Sequence, residues 1–492
     1  MPAGANRRPA TLRQQVYERL RAAIERGTFA PGAKLPPSRE HARVLGVARN
    51  TVLWALERLA AEGYVVARVG DGSYVAPGAA GLARRAAPAA ARVEPAGAAL
   101  SRRGRLIADT ALRWPPPSGT PLPFRTGYPA LDAFPFALWE RLARQADARQ
   151  RQALARYIAP AGHAPLRSAI VQWLLVSRGI RCEPEQVIVV SGSQQALDLI
   201  ARLLLDPGDE ALVEDPGYQG IHASLLAHGA LVRPVGLDAD GLDIAAGAAR
   251  WPQARIAFVT PTHAFPLGVH MGLPRRLALI EWARRSGGWI VEDDYDGEFQ
   301  YGPHRIPALC SLPDARRVLY VGTFSKTLHP GLRLGFVVVP PSLAEAFASA
   351  KALTDRHSPG ENQEVLARFI ADGHLLRHLR RMRERYVERQ QVVIEALAKA
   401  TRGALRLAPS AQGIHLVHEI APGADDRTLS LRAQAAGVFL APLSAYTIAS
   451  PRRGWVFGYA GYEPAALRAA ARRLGPLWPG PTPSAAASSG SP

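Results

Sequence analysis

The chain has 492 residues, of which 48% are hydrophobic and 21% are charged, a globular composition that excludes a disordered or collagen-like chain. This length predicts two or three domains, because one domain usually holds about 100–200 residues. The chain has no run of 18 apolar residues, no apolar stretch in residues 1–8 and only two cysteines. We therefore expect no membrane span, no secretory signal and no disulfide framework, but a protein of the reducing cytoplasm.

The formal net charge of +19 is concentrated near the N-terminus. Residues 1–80 hold 12 Arg or Lys against 6 Asp or Glu, and residues 81–115 hold 7 against 2. A basic N-terminal region predicts a unit that binds a polyanion, although arginine-rich surfaces are also common in proteins that bind no anion.

Residues 11–77 have the pattern of three helices followed by a β-hairpin. An apolar residue at every fourth position over 12–24 predicts the first helix. Ser38 is placed to cap a second helix that ends near Leu45, and a third helix is predicted over 48–62. A Gly-Asp-Gly turn then joins two short β-branched runs into a hairpin. This order is typical of a winged helix-turn-helix, a DNA-binding fold.

The third predicted helix begins with Arg49, Asn50 and Thr51. At the start of a recognition helix, Arg can pair with guanine and Asn with adenine, while Thr and the helix amides can hold phosphate. Further phosphate contacts are predicted for Arg39, Arg43 and Arg68. The alternative is a basic three-helix scaffold that binds a protein.

Residues 32–40 (GAKLPPSRE), 49–52 (RNTV) and 72–75 (GSYV) resemble the GntR family of bacterial transcription regulators. The resemblance covers essentially all of residues 11–77. It implies that operator DNA is contacted by Arg39, Arg49, Thr51 and the wing glycine, Gly72. His41 and Ala48 depart from the family pattern, in which Leu and Ser are common at these positions.

Residues 78–119 are rich in Ala, Pro, Gly and Arg, which predicts a semi-stiff, positively charged linker without a core. Over 120–478, helical patterns alternate with short β-branched runs, and this predicts an α/β domain with a mainly parallel sheet. The predicted strands are 187–190, 211–213, 256–260, 289–292, 318–322 and 335–339. The tail, 479–492, is predicted to be disordered.

Only 4 of the 60 basic residues are lysines, so each lysine is a candidate for chemistry that requires a primary amine, such as Schiff-base formation. Lys326 is the exceptional one, because it follows an apolar strand in residues 322–326 (GTFSK) and precedes Arg333. A lysine beside hydroxyls and an arginine suits an aldehyde cofactor that carries a phosphate.

Two other predicted strands end in groups that complete such a site. Residues 191–195 (SGSQQ) form a strand-to-helix turn whose amides can bind phosphate. Residues 293–296 (DDYD) offer a carboxylate for a pyridinium nitrogen and a phenol for a ring oxygen. Each motif alone is weak, but carboxyl ends of parallel strands meet at one edge, where α/β sheets bind ligands. No metal site is predicted.

This series resembles the fold-type I, aspartate-aminotransferase-like pyridoxal-phosphate proteins over roughly residues 120–475. The resemblance implies that Lys326 forms the Schiff base with the cofactor. Asp293 would pair with the pyridine nitrogen, with Asp294 as the alternative. The remaining implied contacts are Tyr295 and His263 at the phenolic oxygen, Tyr218 stacked on the ring, and Ser193, Gln194, Thr323, Ser325 and Arg333 at the phosphate.

A winged helix joined by a long linker to this fold resembles the MocR-like subgroup of GntR regulators, over nearly the whole chain. The resemblance implies a DNA-associated bacterial protein that forms head-to-tail homodimers and binds pyridoxal phosphate and operator DNA. Its large domain would sense pyridoxal phosphate or an amine that reacts with it.

A working aminotransferase with an accessory DNA-binding domain is the alternative. It needs an arginine to hold the substrate carboxylate, for which Arg452 and Arg453 are candidates. Some amine-sensing relatives carry an arginine where this chain has Gly220. The regulator is favoured because a DNA-binding domain is fused to the large domain and because no arginine is securely assigned to the substrate carboxylate. Weak transamination, or one half of that reaction, is left open.

Overall fold

A computed structural model of the chain describes residues 11–68, 70–79, 100–109, 121–302 and 306–478. The chain divides into two units, residues 1–99 and 100–492, and each is described by itself. The predicted disordered tail and most of the predicted linker lie outside the described residues. Within the described ranges, every helix falls short of the length and apolar character needed to cross a membrane.

The small unit contains three helices and a hairpin: α1 (Leu12–Glu25), α2 (Ser38–Leu45), α3 (Arg49–Ala61), β1 (Val65–Arg68) and β2 (Gly72–Val75). The two strands pair antiparallel. One apolar core holds the unit together, and Val52 and Leu59 of α3 are fully buried in it. The predicted winged helix-turn-helix is confirmed.

The turn between α2 and α3 depends on Gly46, which ends α2 in the left-handed region with φ of 64°. This conformation disfavours residues that carry a Cβ. Ser38, predicted to cap α2, is instead the first helical residue after Pro37. Its hydroxyl accepts a hydrogen bond from Arg49 Nε at 3.2 Å.

The large unit is built on an eight-stranded sheet with the spatial order β3-β10-β9-β8-β7-β4-β5-β6. Its strands are β3 (Val187–Val190), β4 (Glu210–Asp215), β5 (Leu231–Asp238), β6 (Gly241–Leu242), β7 (Ile256–Val259), β8 (Trp289–Asp294), β9 (Val318–Thr323) and β10 (Gly335–Val338). Strands β5, β4, β7, β8 and β9 pair parallel in that order. The predicted mainly parallel sheet is confirmed.

Strand β10 decides which loops meet at one edge of this sheet. It pairs antiparallel with both β3 and β9, so β3 runs in the same direction as β9. The carboxyl ends of β3, β8 and β9 therefore lie at the same edge. The start of β10, with Gly335 opposite Thr323, lies there too, because this strand runs the other way.

Helices cover both faces of the sheet. The helices of the large unit are α4 (Arg102–Asp109), α5 (Phe136–Arg144), α6 (Ala148–Leu154), α7 (Ala164–Arg178), α8 (Ser193–Leu204), α9 (Gln219–Ala227), α10 (Ile244–Arg250), α11 (Leu273–Ser286), α12 (Phe324–Thr327), α13 (Ala344–Asp355), α14 (Gly360–Ala371), α15 (His374–Ala400), α16 (Arg427–Ala435) and α17 (Pro464–Leu474). Alternate strand residues face different layers: Leu319 and Val321 pack with α8, whereas Tyr320 packs with α7 and α15. This is the side-chain period of two that a sheet buried on both faces requires.

A small antiparallel sheet follows, in the order β11-β13-β12. Its strands are β11 (His415–Ile420), β12 (Ala441–Pro442) and β13 (Arg453–Gly458). Residues near the start of the large unit reach this sheet through a bridge between Phe124 and Gly458. The bridge brings residues 125–127 beside the end of β13.

Part of the predicted linker belongs to the large unit. Residues 102–109 form α4, which packs on α9. Arg103 Nε donates to the Ala227 carbonyl at 3.1 Å, and Arg103 Nη2 lies 3.0 Å from His228 Nδ1. This segment therefore makes packed contacts, which linker composition did not predict.

Candidate functional site

A cavity of about 360 Å³ opens at the edge of the sheet where β3, β8 and β9 end. Nine of the ten predicted cofactor residues line it: Ser193, Gln194, Tyr218, Asp293, Tyr295, Thr323, Ser325, Lys326 and Arg333. The tenth, His263, lies behind the wall. These residues lie together because each of them comes just after a strand that ends at this edge or just before one that begins there.

Lys326 is held in the short helix α12, directly after β9. Thr323 caps this helix, because its hydroxyl accepts a hydrogen bond from Ser325 N at 3.2 Å. Lys326 Nζ donates to the Gly127 carbonyl at 2.9 Å. Burial lowers the pKa of the Lys326 amine, opposed by the charges of Asp296 and Asp293. A lowered pKa favours the neutral amine, which is the form that attacks an aldehyde.

Asp293 offers a buried carboxyl group to the opposite wall of the cavity. Burial, followed by the charge of Asp294, raises the pKa of Asp293 to about 7. Asp293 Oδ1 is buried without a hydrogen-bond partner among the described residues. A buried acceptor of this kind is costly unless it is paired. It therefore fits the protonated ring nitrogen of pyridoxal phosphate.

Asp294, the predicted alternative, is excluded by the alternation of the strand. Consecutive residues of β8 point to opposite faces, and Asp294 faces away from the cavity. Its carboxylate lies 2.7 Å from Arg178 Nε in a buried ion pair and accepts a hydrogen bond from the Tyr320 hydroxyl at 2.6 Å. The Asp294 carboxylate is already paired with Arg178, so it is not available to the ring nitrogen of a cofactor.

One end of the cavity is formed by the start of α8 and by Arg333, groups that can bind a phosphate. The first amides of a helix have no acceptor within the helix, so Ser193 and Gln194 present N–H groups there. Arg333 holds its guanidinium at the same place with a left-handed backbone, φ 52°. Such strain in a residue other than glycine is typical of functional sites.

The side chain of Gln194 positions Tyr218. Its Nε2 donates to the Gly220 carbonyl at 2.9 Å, and the Tyr218 hydroxyl donates to Gln194 Oε1 at 3.2 Å. A Cβ at Gly220 would collide with Gln194 Oε1 and with the Tyr218 ring. The arginine that some amine-sensing relatives carry would therefore require these two side chains to move.

His263 lies behind Tyr295 and contacts its hydroxyl. Its Nδ1 lies 2.9 Å from the Tyr295 hydroxyl and 2.9 Å from Asp296 Oδ2. The possible metal-ligand atoms of His263, Asp296 and His415 lie within 4.8 Å of one another. One nitrogen of each histidine ring already has a hydrogen-bond partner. For His263 it is Nδ1, beside Asp296, and for His415 it is Nε2, which lies 2.8 Å from the Pro266 carbonyl oxygen.

Sequence reasoning missed several residues of the wall, of which Arg125 is the most informative. Arg125 lines the cavity, and its guanidinium lies 4.8 Å from the centre of the Phe439 ring. No motif marks it, because it reaches the site through the bridge between distant parts of the chain. The two arginines considered as holders of a substrate carboxylate form other contacts. Arg452 donates to Glu419 at 3.1 Å, and Arg453 donates to the Arg452 carbonyl at 2.8 Å.

Six of the seven predicted DNA-binding residues are exposed on the small unit: Arg39, Arg43, Arg49, Asn50, Arg68 and Gly72. Arg68 stacks over the Tyr74 ring at 4.4 Å, which holds its guanidinium on the wing. Thr51 differs, because the inward face of α3 leaves it only 8% exposed. The phosphate contact expected at Thr51 stays a prediction.

Known families match both units. The profile of "Aminotransferase class I and II" matches residues 128–474, and that of "Bacterial regulatory proteins, gntR family" matches residues 12–75. The chain is 40% identical to the probable rhizopine catabolism regulatory protein MocR of Rhizobium meliloti, over 93% of this chain and 92% of that protein. It is 34% identical to the HTH-type transcriptional regulator TauR of Rhodobacter capsulatus, over 90% of each chain.

Among solved structures, the large unit is similar to the α-aminoadipate aminotransferase LysN of Thermus thermophilus. That protein was solved in complex with N-(5'-phosphopyridoxyl)-L-leucine. The TM-score is 0.66 at 28% identity, and the match covers 78% of this chain and 95% of LysN. A solved relative thus binds a phosphopyridoxyl group on this fold.

Proposed function

Because this chain belongs to the MocR-like subgroup of GntR regulators, we propose that it is a DNA-binding transcription regulator that senses an amine through pyridoxal phosphate. The single observation that carries the proposal is the cavity in which Lys326, Asp293 and Arg333 converge. These residues supply the three groups that pyridoxal phosphate requires: an amine, a carboxylate and a guanidinium.

The small unit reads the operator in this proposal. Arg49 and Asn50, exposed at the start of α3, contact base edges in the major groove. Phosphates are held by Arg39, Arg43, Arg68 and the backbone at Gly72. A head-to-tail homodimer completes the proposal, since two such units can read two half-sites.

The large unit holds the cofactor. When bound, pyridoxal phosphate would supply an aldehyde carbon that reacts with primary amines, and Lys326 would be the chain's own amine at that carbon. Asp293 keeps the ring nitrogen protonated, Tyr218 packs on the ring, and Tyr295 donates to the ring oxygen. The phosphate is bound by Ser193 and Gln194 through their amides and by Thr323, Ser325 and Arg333 through their side chains.

Arg125 indicates the chemical class of the effector. Arg333 stands at the phosphate end, so Arg125 is a second guanidinium on the cavity wall. It lies two positions before Gly127, whose carbonyl oxygen receives Lys326 Nζ. An amine that also carries a carboxylate therefore suits this cavity better than a simple alkylamine, since guanidinium pairs with carboxylate in a bidentate fork.

The test compares operator affinity with and without ligands. The operator is first identified by sequencing DNA recovered with the purified protein. Adding pyridoxal phosphate, or a reacting amino acid from a panel, should change operator affinity by about 5–150-fold, the usual size of allosteric coupling. Lys326→Ala should abolish this response. It should also abolish the absorption band at about 420 nm that is expected of a lysine Schiff base.

Lys351→Gln is the matched control, because Lys351 is fully buried but pairs with Asp355 outside the cavity. It should keep both the band and the response. A wild-type protein that stays colourless with pyridoxal phosphate would refute the cofactor site, and equal operator affinity with every ligand would refute the sensor.

Arg125 also favours the second candidate function, a working aminotransferase, because a guanidinium on the cavity wall is the kind of group that a carboxylate clamp requires. An amino-group transfer assay across the same panel separates the two functions. Sustained turnover of about 1 per second or more is typical of an enzyme. A sensor should stop after a single exchange, and Arg125→Gln should weaken the effect of amino acids in either case.

A further inference from the structure

A buried hydrogen-bonded series connects Tyr295 to a residue outside the cavity. The Tyr295 hydroxyl lies on the cavity wall, with His263 Nδ1 2.9 Å behind it. Asp296 Oδ2 lies 2.9 Å from the same nitrogen. Both His263 and Asp296 are 2% exposed, so water does not compete for these contacts.

The acceptor defines the tautomer of His263. An ionised carboxylate can only accept hydrogen bonds, so the bond to Asp296 places the ring proton on Nδ1. That proton is shared with the Tyr295 oxygen at the same distance. Burial, followed by the charges of Asp296 and Asp293, raises the pKa of Tyr295 well above its usual value. The phenol therefore stays protonated and remains a donor, and in this structure it donates to the His263 carbonyl oxygen at 3.1 Å.

We infer that His263 and Asp296 are positioning residues that strengthen the hydrogen bond from Tyr295 to the cofactor's ring oxygen. A phenol that receives a hydrogen bond at its oxygen becomes a stronger donor through its own O–H, since such bonds polarise one another. The inference rests on the cofactor site of the proposed function. It adds the residues that set the pKa of the Lys326 nitrogen when this nitrogen is bonded to the cofactor.

The direction of the effect follows from charge. A ring oxygen that receives a strong hydrogen bond holds less free negative charge, so it attracts the proton on the neighbouring Lys326 nitrogen less strongly. Weakening the Tyr295 donor should therefore raise the pH at which that nitrogen loses its proton. The charged and titratable groups around this nitrogen are Asp293, Asp296, Tyr295, Tyr218, His415, Tyr446, Arg125 and Arg333.

His263 offers a cleaner test than Asp296, because Asp296 also acts on Lys326 by charge. The experiment titrates the visible band of the cofactor-loaded protein with pH in four forms: wild type, His263→Asn, Tyr295→Phe and the double variant. His263→Asn should raise the midpoint by roughly 0.4–1.1 pH units, which is one ordinary hydrogen bond converted at about 1.4 kcal/mol per unit. In the Tyr295→Phe background it should have no further effect.

His163→Asn is the matched control, because His163 forms a similar pair with Glu364 at 2.7 Å outside the cavity. Its midpoint should equal that of the wild type. If His263→Asn does not fold, His263→Gln replaces it. An equal shift in both Tyr295 backgrounds, or no shift in either, overturns the inference while leaving the cofactor assignment intact, whereas a colourless wild type refutes that assignment itself.

Discussion

At the residue scale, the cavity contains groups that are unfavourable for folding. Asp293 is a buried carboxyl group whose Oδ1 lacks a partner among the described residues, and Arg333 has a left-handed backbone. Each costs free energy that the rest of the fold must offset. Sites built to bind a ligand commonly carry this cost, because the ligand supplies the missing partner.

Asp293→Asn should make the cofactor-free protein more stable above pH 7. Burial raises the pKa of Asp293 to about 7 from its ordinary value of 3.8, so between these pH values the folded state holds a proton that the unfolded chain has released. Stability contributed by this group is therefore lost as the pH rises through that window. Removing the charge should raise the free energy of unfolding at pH 8 by about 1–3 kcal/mol.

Denaturant unfolding of the cofactor-free protein at pH 5 and pH 8 measures this change. Asp426→Asn is the control, since Asp426 is equally buried but accepts hydrogen bonds from Ser444 N, Ser444 Oγ and Gly454 N. It should lose stability at both pH values. If Asp293→Asn were no more stable than the wild type at pH 8, the buried-charge argument would be wrong.

At the element scale, α8 and α9 connect the cavity to α4. Near their first turns, Gln194 Nε2 donates to Ser224 Oγ at 2.8 Å. Farther along, Asp198 of α8 lies 2.9 Å from His228 Nε2, and the other nitrogen of His228 lies 3.0 Å from Arg103. A shift of α9 at Tyr218 can therefore reach α4 through packed helices without passing through a loop.

Arg103→Ala should release α4, whereas Arg102→Ala should not. Arg103 contacts Ala227 and His228, although composition placed both arginines in a linker without packed contacts. Losing about one net hydrogen bond should speed amide exchange in residues 102–109 by roughly 2–12-fold. Hydrogen exchange with mass spectrometry measures this, and Arg102→Ala is the control on the same helix. Equal effects of the two variants would contradict the docking.

At the scale of the whole molecule, charge separates the two binding activities. Positive charge is concentrated in the first 115 residues, where phosphate contacts release counterions from DNA. The cavity instead binds one small anion with a few directed groups. Operator binding should therefore depend steeply on salt, and cofactor binding only weakly.

Operator affinity should fall by about 1,000-fold between 50 and 200 mM salt, as expected for a dimer with roughly six phosphate contacts. Arg43→Gln should reduce the logarithmic slope by about 1.8, because each lost contact removes about 0.9 and a dimer loses two. Arg468→Gln, an exposed change on α17 of the large unit, is the control. Fluorescence anisotropy at several salt concentrations measures both slopes, and identical slopes for Arg43→Gln and the wild type would contradict a phosphate contact at Arg43.

The sequence by itself determined the order and type of most elements. Apolar residues at about every fourth position over 12–24 identify a helix, because burial of one helix face imposes that spacing. Short β-branched runs such as 187–190 identify strands. The set of strand-end residues was also readable, since parallel strands bring their carboxyl ends to one edge. The scarcity of lysine left four candidates, and the strand before Lys326 together with Arg333 after it identified this one.

Only the tertiary structure decided what each side chain faces. Asp293 and Asp294 are neighbours in one motif, and the phase of β8 sends one to the cavity and the other to Arg178. Thr51 is buried because α3 turns it toward the core. Arg125 and the contact of Arg103 with α9 join residues far apart in the chain. Local patterns record which face of an element is apolar, but the partner across a distant contact leaves no periodic signal in the sequence.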